Sequence, residues 1–462
     1  MPGMRPLART AAASSRNGRL LAASCRRLRS RQDSIPETPD SDSDLSQYPP
    51  PTKPPAAEPA SDSPPPPPPQ AATTPRPRHG FNPRLTYEAS QNITRSYFLG
   101  HHHAAVQRMR EKLVNIGLII ECRDMRVPLT SWNPTLETEL EARSRPRIVV
   151  YTKRDLTAWP TDRAVVDRLK KFHEQDRGPA GLHSSSDRDR LPACLFAGED
   201  DGPATRAILA AVGSAARRQD SLLGMRAMVV GVPNAGKSTL LNRLRSSGLG
   251  GGGRPGDAAL RRKVARTGAE PGPGVTRSLG TPVRVLAPGT GPDDVPGQGV
   301  FVMDTPGVFV PYVGDAEAML KLALVGCVRD GLVPPAILAD YLLFHLNLPA
   351  RRRDEPRGHA LYARLCPEPT NDVDVFLDHV ARRTGKLGPG GVPLLDQAAD
   401  WVVQQWRGGH LGRFVLDDVT AQSIDLARSN SLNPPRSLNQ ARRLEKERRK
   451  ERRVEVAKAR QG

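Results

Sequence analysis

The run Gly231-Val-Pro-Asn-Ala-Gly236-Lys237-Ser238 has the spacing of a phosphate loop. In such a loop Gly231 and Gly236 let backbone amides turn inward around a β-phosphate. Lys237 reaches the β- and γ-phosphates, and the Ser238 hydroxyl ligates Mg²⁺. Asn234, Ala235 and Thr239 complete the phosphate-binding set. Downstream, Asp304-Thr-Pro-Gly307 follows an apolar run. Its carboxylate is placed to bind Mg²⁺ through water, and the Gly307 amide to meet the γ-phosphate and sense its presence. Thr276, in PGPGVTR, lies between the two on a Gly/Pro-rich stretch. Its hydroxyl either completes the Mg²⁺ shell and orders the loop, or is that of an ordinary loop threonine. Upstream stands Thr152-Lys153-Arg154-Asp155. A carboxylate at Asp155 accepts from guanine N1–H and the N2 amino group, a donor pair that adenine lacks, so it selects GTP over ATP. The Lys153 stem packs over the base plane, and Thr152 opens the base-binding loop.

These motifs need strand ends to hold them. NIGLIIECRD predicts a strand ending near Cys122 and RIVVYTKRD one ending near Tyr151. PACLFAG is a weaker strand, while RAMVVGVPNAGKS and GVFVMDTPG are strong ones. Helical patterns over 162–175, 204–218, 238–245 and 316–325 separate most of them. This alternation predicts an α/β fold, a mostly parallel sheet covered on both faces, with ligands beyond the carboxyl ends of the strands. From about Val333 to Ala427 apolar residues recur at three- and four-residue spacing, as in PAILADYLLFHL, DVDVFLDHVARRTG and PLLDQAADWVVQQWRGG. These predict helices that bury one face, with Trp401 and Trp406 as packing residues.

The base-reading motif precedes the phosphate loop instead of following it. In that order stand Tyr97-Phe-Leu-Gly100-His101 with VQRMREKL after it, ECRDMRVPLTSWNP at 121–134, TKRD, GVPNAGKST, PGVTR and DTPGVFVP. The chain thereby resembles the circularly permuted GTPases of the YlqF/RbgA family, and most the mitochondrial GTPase 1 type. The resemblance spans about residues 84–328 and, more loosely, the helical segment beyond. It implies a P-loop GTPase fold, circularly permuted and followed by a helical C-terminal domain that contacts RNA. It also implies GTP hydrolysis coupled to maturation of the large ribosomal subunit, with GTP/GDP and Mg²⁺ bound. Val308 stands where many small GTPases carry a water-orienting Gln, so another group must orient the water. The resemblance maps this role to His101, and a structural or surface histidine is the alternative. Asn234 matches the position that ligates K⁺ in potassium-activated relatives. Thr152 replaces the usual Asn, and its shorter side chain is expected to lose a base contact and a tether to the phosphate loop. A base-supporting Ser-Ala type motif is not clear in residues 193–198. The insertions at 248–257 and 288–299 read as floppy loops.

The 462 residues hold 68 Lys and Arg against 49 Asp and Glu, a net charge of +19 that favours an acidic partner. The surplus gathers at the two ends. Eight arginines lie between Arg5 and Arg31 and no acidic residue precedes Asp33, the composition of a mitochondrial transit peptide over 1–32 or of a disordered basic arm. Residues 33–80, with an unbroken Pro64–Pro69 run, form a Pro-rich linker. Residues 429–462 are a basic tail suited to a phosphate backbone or simply solvated. The GTPase domain is set at 81–330 and the helical domain at 331–428. Five scattered Cys without a CxxC pair exclude a disulfide scaffold or zinc module. No uncharged run reaches the ~18 apolar residues of a membrane span. The reading is of a monomer of the mitochondrial matrix side that binds the large mitoribosomal subunit and its rRNA, with peripheral inner-membrane contact, and not DNA. A nucleolar or cytosolic assembly GTPase and a non-hydrolysing, GTP-dependent ribosome-binding module are the competing readings.

Overall fold

The computed structural model describes residues 81–90, 93, 100–141, 145–158, 162–176, 191–249, 280–289, 294–308, 313–348, 358–433, 443 and 446. The expectations for 1–80, for Thr276 and for most of the basic tail lie outside the described residues.

Six strands make one sheet in the order β3-β2-β1-β4-β6-β5. β1 (Leu118–Asp124), β2 (Arg147–Thr152), β3 (Cys194–Phe196), β4 (Met225–Gly231) and β6 (Val300–Asp304) pair in parallel. The predicted strands are therefore present, and the α/β expectation holds. β5 (Val283–Leu286) runs antiparallel to β6 at the edge and was not foreseen. It is four residues long, and Arg284 interrupts its apolar pattern, so it has no buried run to read. The chain moves outward from β1 through β2 to β3, then returns to set β4 beside β1. That reversal puts a crevice at the carboxyl ends of β1 and β4. The strand bearing the base loop precedes the strand bearing the phosphate loop, which is the permuted order of the P-loop GTPase fold.

Alternate residues of each strand serve opposite faces. Leu118, Ile120, Val150, Ala227, Val229 and Val302 enter the main core, under α4 (Gly202–Gln219) and α5 (Lys237–Gly248). Ile119, Met228, Val230 and Met303 pack on the other face with Met109 and Leu113 of α1 (Gly100–Leu113) and Leu136 and Leu140 of α2 (Pro134–Glu141). α3 (Arg163–Asp176) covers β2 and β3 through Val166 and Leu169. Helix starts follow local chemistry. Asp201 caps α4 by accepting from the Ala204 amide, with proline in the first turn.

After β6 come α6 (Ala316–Leu324), α7 (Pro335–Asn347), α8 (Val373–Thr384), α9 (Leu395–Arg407) and α10 (Ala421–Leu432). The first four extend the main core, and buried Trp406 packs there as expected while Trp401 lies partly buried against it. Between α9 and α10 the chain is extended and returns to the β1–α2 loop. Leu416 N–H donates to the Arg126 carbonyl at 2.8 Å, and Asp417 accepts from the amides of Leu129 and Thr130 at 2.8 Å. The described flanks of the 288–299 insertion are tied to each other and to the core. Gly289 N–H donates to the Val295 carbonyl at 3.2 Å, and Val295 is buried in the main core.

Candidate active site

β4 ends at Gly231, where φ is +146°. A Cβ there would stand 2.3 Å from the Cys122 carbonyl of β1, so only glycine lets the chain leave the sheet at this point. Asn234 (φ 56°) and Gly236 (φ 76°) continue in the left-handed region. Such a turn aims successive amides inward as an anion cradle. α5 starts at Lys237, so its N-terminal dipole faces the same point. Buried Lys237 donates from Nζ to the Val232 carbonyl at 2.7 Å. Burial draws its ammonium below the usual lysine range, and the Asp304 carboxylate opposes that shift. Ala235 is buried in the loop, and Thr239 lies exposed in the first turn of α5.

Ser238 Oγ donates a short hydrogen bond to Asp304 Oδ2. Burial raises the Asp304 carboxyl, and the Ser238 hydrogen bond and Lys237 moderate the rise. Among the described residues the second oxygen, Oδ1, is buried without a hydrogen-bond partner. A buried carboxylate oxygen lacking a donor beside a serine hydroxyl suits a hard cation with oxygen ligands. Among the described residues no three or more His, Cys, Asp or Glu gather to hold a metal. Thr276, the third expected metal ligand, lies outside the described residues.

The Asp304 loop rests on the phosphate loop. Val308 N–H donates to the Gly231 carbonyl at 3.1 Å, and a Cβ on Gly307 would fall 2.5 Å from Pro233 Cα. The Val308 side chain is buried among Met109, Leu136 and Met228, and Asn133 Nδ2 holds its carbonyl at 2.7 Å. Residue 308 is thus a core residue. His101 lies in the first turn of α1, and its side chain is outside the described residues.

β2 delivers the base loop. Thr152 is its last residue, Lys153 takes φ 57°, and Arg154–Leu156 form a 3₁₀ turn. The expectation that Thr152 loses the tether to the phosphate loop is not met. Its hydroxyl lies 2.9 Å from the Ala235 carbonyl and 3.1 Å from the Arg123 carbonyl. A hydroxyl on the β-carbon suffices because Gly236 brings that loop close, its hypothetical Cβ being 3.5 Å from Thr152 Cβ. Asp155 Oδ1 accepts from the Glu199 amide at 2.8 Å, and Gly198 packs against the same carboxylate. The segment 197–199 after β3 is therefore the support of the base loop that the sequence left unclear. The small pair Ala197-Gly198 directly after a strand is the signal that marks it.

Asp124 and Arg126 were quoted in the sequence only as part of a matching run. Asp124, at the end of β1, holds Lys153 Nζ at 3.0 Å and Arg126 through a two-pronged pair at 3.0 and 2.8 Å. Those two cations keep its carboxyl far below the usual range against the cost of burial. Asn234, read as a K⁺ ligand, spends its amide nitrogen on the Gly326 carbonyl at 2.6 Å. Its amide oxygen is the atom left for any cation.

The family model of the 50S ribosome-binding GTPase matches residues 226–333. A protein named Mitochondrial GTPase 1 from Schizosaccharomyces japonicus is 33% identical over 351 residues, covering 70% of this chain and 90% of its own. Its namesake from Schizosaccharomyces pombe is 32% identical over 357 residues, covering 76% and 98%. The Mitochondrial ribosome-associated GTPase 1 of Xenopus tropicalis is 29% identical over 347 residues, covering 72% and 98%. Among solved structures, GNP-bound YlqF from T. maritima aligns with a TM-score of 0.39 and 18% identity over 68% of this chain and 97% of that one.

Proposed function

The chain belongs to the mitochondrial GTPase 1 family, and from that premise we propose that it acts in the mitochondrial matrix, hydrolysing GTP to assist assembly of the large mitoribosomal subunit. The observation that carries this reading is the meeting, at the carboxyl ends of the inner strands, of a base loop, a phosphate loop and a metal-type carboxylate, in a chain whose relatives are named for mitochondria and their ribosomes. Residues 1–32 are the import signal in this reading.

The residues divide the work as follows. Asp155 selects guanine, and Lys153 covers the base plane. The amides of the 231–238 loop and Lys237 neutralise the phosphates and the charge that develops on them. Ser238, Thr276 and Asp304 would hold Mg²⁺, which would supply positive charge against the phosphates. Gly307 senses the γ-phosphate. His101 orients the attacking water once the ribosomal partner brings it to the site, a role that buried Val308 leaves vacant. The helical region and the basic tail meet rRNA phosphates.

Phosphate release from GTP and ATP by the full chain, with and without purified large mitoribosomal subunits, tests the proposal. GTP-specific release stimulated by the subunit, and lost in His101→Ala and Lys237→Ala, supports it. Equal use of ATP, or no stimulation, overturns it. Import of a fluorescent protein fused to residues 1–80 tests the compartment, and nuclear accumulation would refute it.

A further inference from the structure

A helix leaves its last four carbonyls without partners inside the helix. At the end of α6 and in the turn beyond, four successive carbonyls instead receive side chains from three distant parts of the chain. Arg407 of α9 donates from Nη2 to the Ala323 carbonyl at 2.8 Å and from Nε to the Leu324 carbonyl at 2.9 Å. Arg126 of the β1–α2 loop approaches the Val325 carbonyl at 3.4 Å. Asn234 of the phosphate loop holds the Gly326 carbonyl at 2.6 Å. Two guanidinium groups at a helix C-terminus also complement its dipole.

Each clasping residue is tied to the nucleotide site or to the helical region. Arg126 is paired with Asp124, which holds Lys153, and its guanidinium lies 5.1 Å from the Trp406 ring centre. Arg407 is steadied by Asp330 at 3.0 Å, and Gly326 turns at φ +81° against its guanidinium. Two residues further on, Gly409 (φ +76°) packs so closely on Leu156, beside Asp155, that a Cβ would stand 3.0 Å from Leu156 Cδ2. The segment 406–409 therefore bears on the phosphate loop through the α6 end and on the base loop directly.

We propose that Arg407 is a positioning residue for nucleotide binding, acting through the shared carbonyls of the α6 turn on Asn234 and the phosphate loop. The inference rests on the GTPase reading of the site and deepens it, because it names the contact by which the helical region reads the nucleotide state. Coupling of this kind is reciprocal: whatever the helical region does to nucleotide affinity, nucleotide does to the helical region.

The test uses the full chain and fluorescent GDP and a GTP analogue, without ribosomes. Arg407→Lys keeps the charge but cannot make the planar fork to two carbonyls. It is expected to speed nucleotide release on the order of fivefold or more. The double variant with Asn234→Ala should fall short of the product of the single effects, since both loosen one turn. Hydrogen exchange of the wild type should show amides of 395–409 differing several-fold between nucleotide-bound and free forms, a readout that stands even if Arg407→Lys fails to fold. Unchanged release rates in a folded Arg407→Lys, strictly multiplicative effects, or identical exchange with and without nucleotide would each overturn the proposal. Failure to bind guanine nucleotide at all would instead refute the GTPase reading.

Discussion

Thr152→Val isolates the tether between the base loop and the phosphate loop. The two side chains share a shape, so the substitution exchanges one hydroxyl for a methyl at a buried position. The wild-type hydroxyl has one proton and two carbonyl acceptors, at 2.9 Å on Ala235 and 3.1 Å on Arg123. The methyl removes the donor and leaves two carbonyls facing carbon. Losing one hydrogen bond and stranding a buried acceptor costs about 1–2 kcal/mol. If the ordered phosphate loop is what the nucleotide binds, that cost appears as roughly 5- to 30-fold weaker GDP and GTP binding. Whatever part of that cost the nucleotide-free chain already bears appears instead as a lower melting temperature, by up to about 2 °C. Fluorescent-nucleotide titration and a thermal melt measure both, with Thr152→Ser as the control that keeps the hydroxyl. Thr152→Val binding within twofold of wild type, with the same melting temperature, would show that the tether carries no energy. The departure from the usual Asn would then be a true loss.

Gly307→Ala places a Cβ 2.5 Å from the Pro233 backbone, so the Asp304 loop must lift off the phosphate loop. GDP affinity should stay within a fewfold, while GTP turnover falls about 100-fold, the scale of a 1 Å misplacement, as read by phosphate release. Asp304→Asn removes a buried charge with an unpartnered oxygen. The nucleotide-free chain should gain about 1 kcal/mol in urea unfolding while Mg²⁺-stimulated nucleotide binding is lost. Asp124→Asn breaks the pairs to Lys153 and Arg126 and should cost about 3–5 kcal/mol at pH 7. Because the folded-state pKa of Asp124 is depressed, its contribution is complete above the unfolded carboxylate value near ~3.9. It fades as pH falls below that value, so wild type and variant should converge in acid. A gap that stays constant down to pH 3 would refute the assignment.

The site residues were legible because phosphate and base chemistry demands particular side chains at strand ends. Gly231, Lys237, Asp304 and Asp155 could be named from type and spacing, and the buried strands before them from apolar runs. β5 was not legible, because a four-residue edge strand that buries only Val285 has no pattern to distinguish it from a loop. Thr152 was misjudged because reach was estimated from side-chain length alone, whereas the close approach of Gly236 shortened the gap. The support at 197–199 was hidden because it acts through the Glu199 backbone amide, which every residue but proline carries. The α6 clasp was hidden for the same reason. Its acceptors are four main-chain carbonyls, and nothing in the residues Ala323 to Gly326 announces them.

Permutation gives that hidden clasp its consequence. In the chain order found here, the Asp304 loop leads within a few residues to Asp315, which caps α6 by accepting from the amides of Glu317 and Ala318. α6 is nine residues long, about 13 Å. Its first end follows the loop that rests on the phosphate loop through Gly307 and Val308, and its last end is held by Asn234 of that same phosphate loop. Both ends of one rigid helix therefore report on one site, while its body is packed in the main core with α7. In the proposed reading, a shift of the Asp304 loop at the γ-phosphate would therefore act on a helix whose far end the phosphate loop also holds. Under the coupling proposed above, α6 would respond as a unit, and the Arg407 hydrogen bonds to its last carbonyls are the contact that would carry the movement into α9.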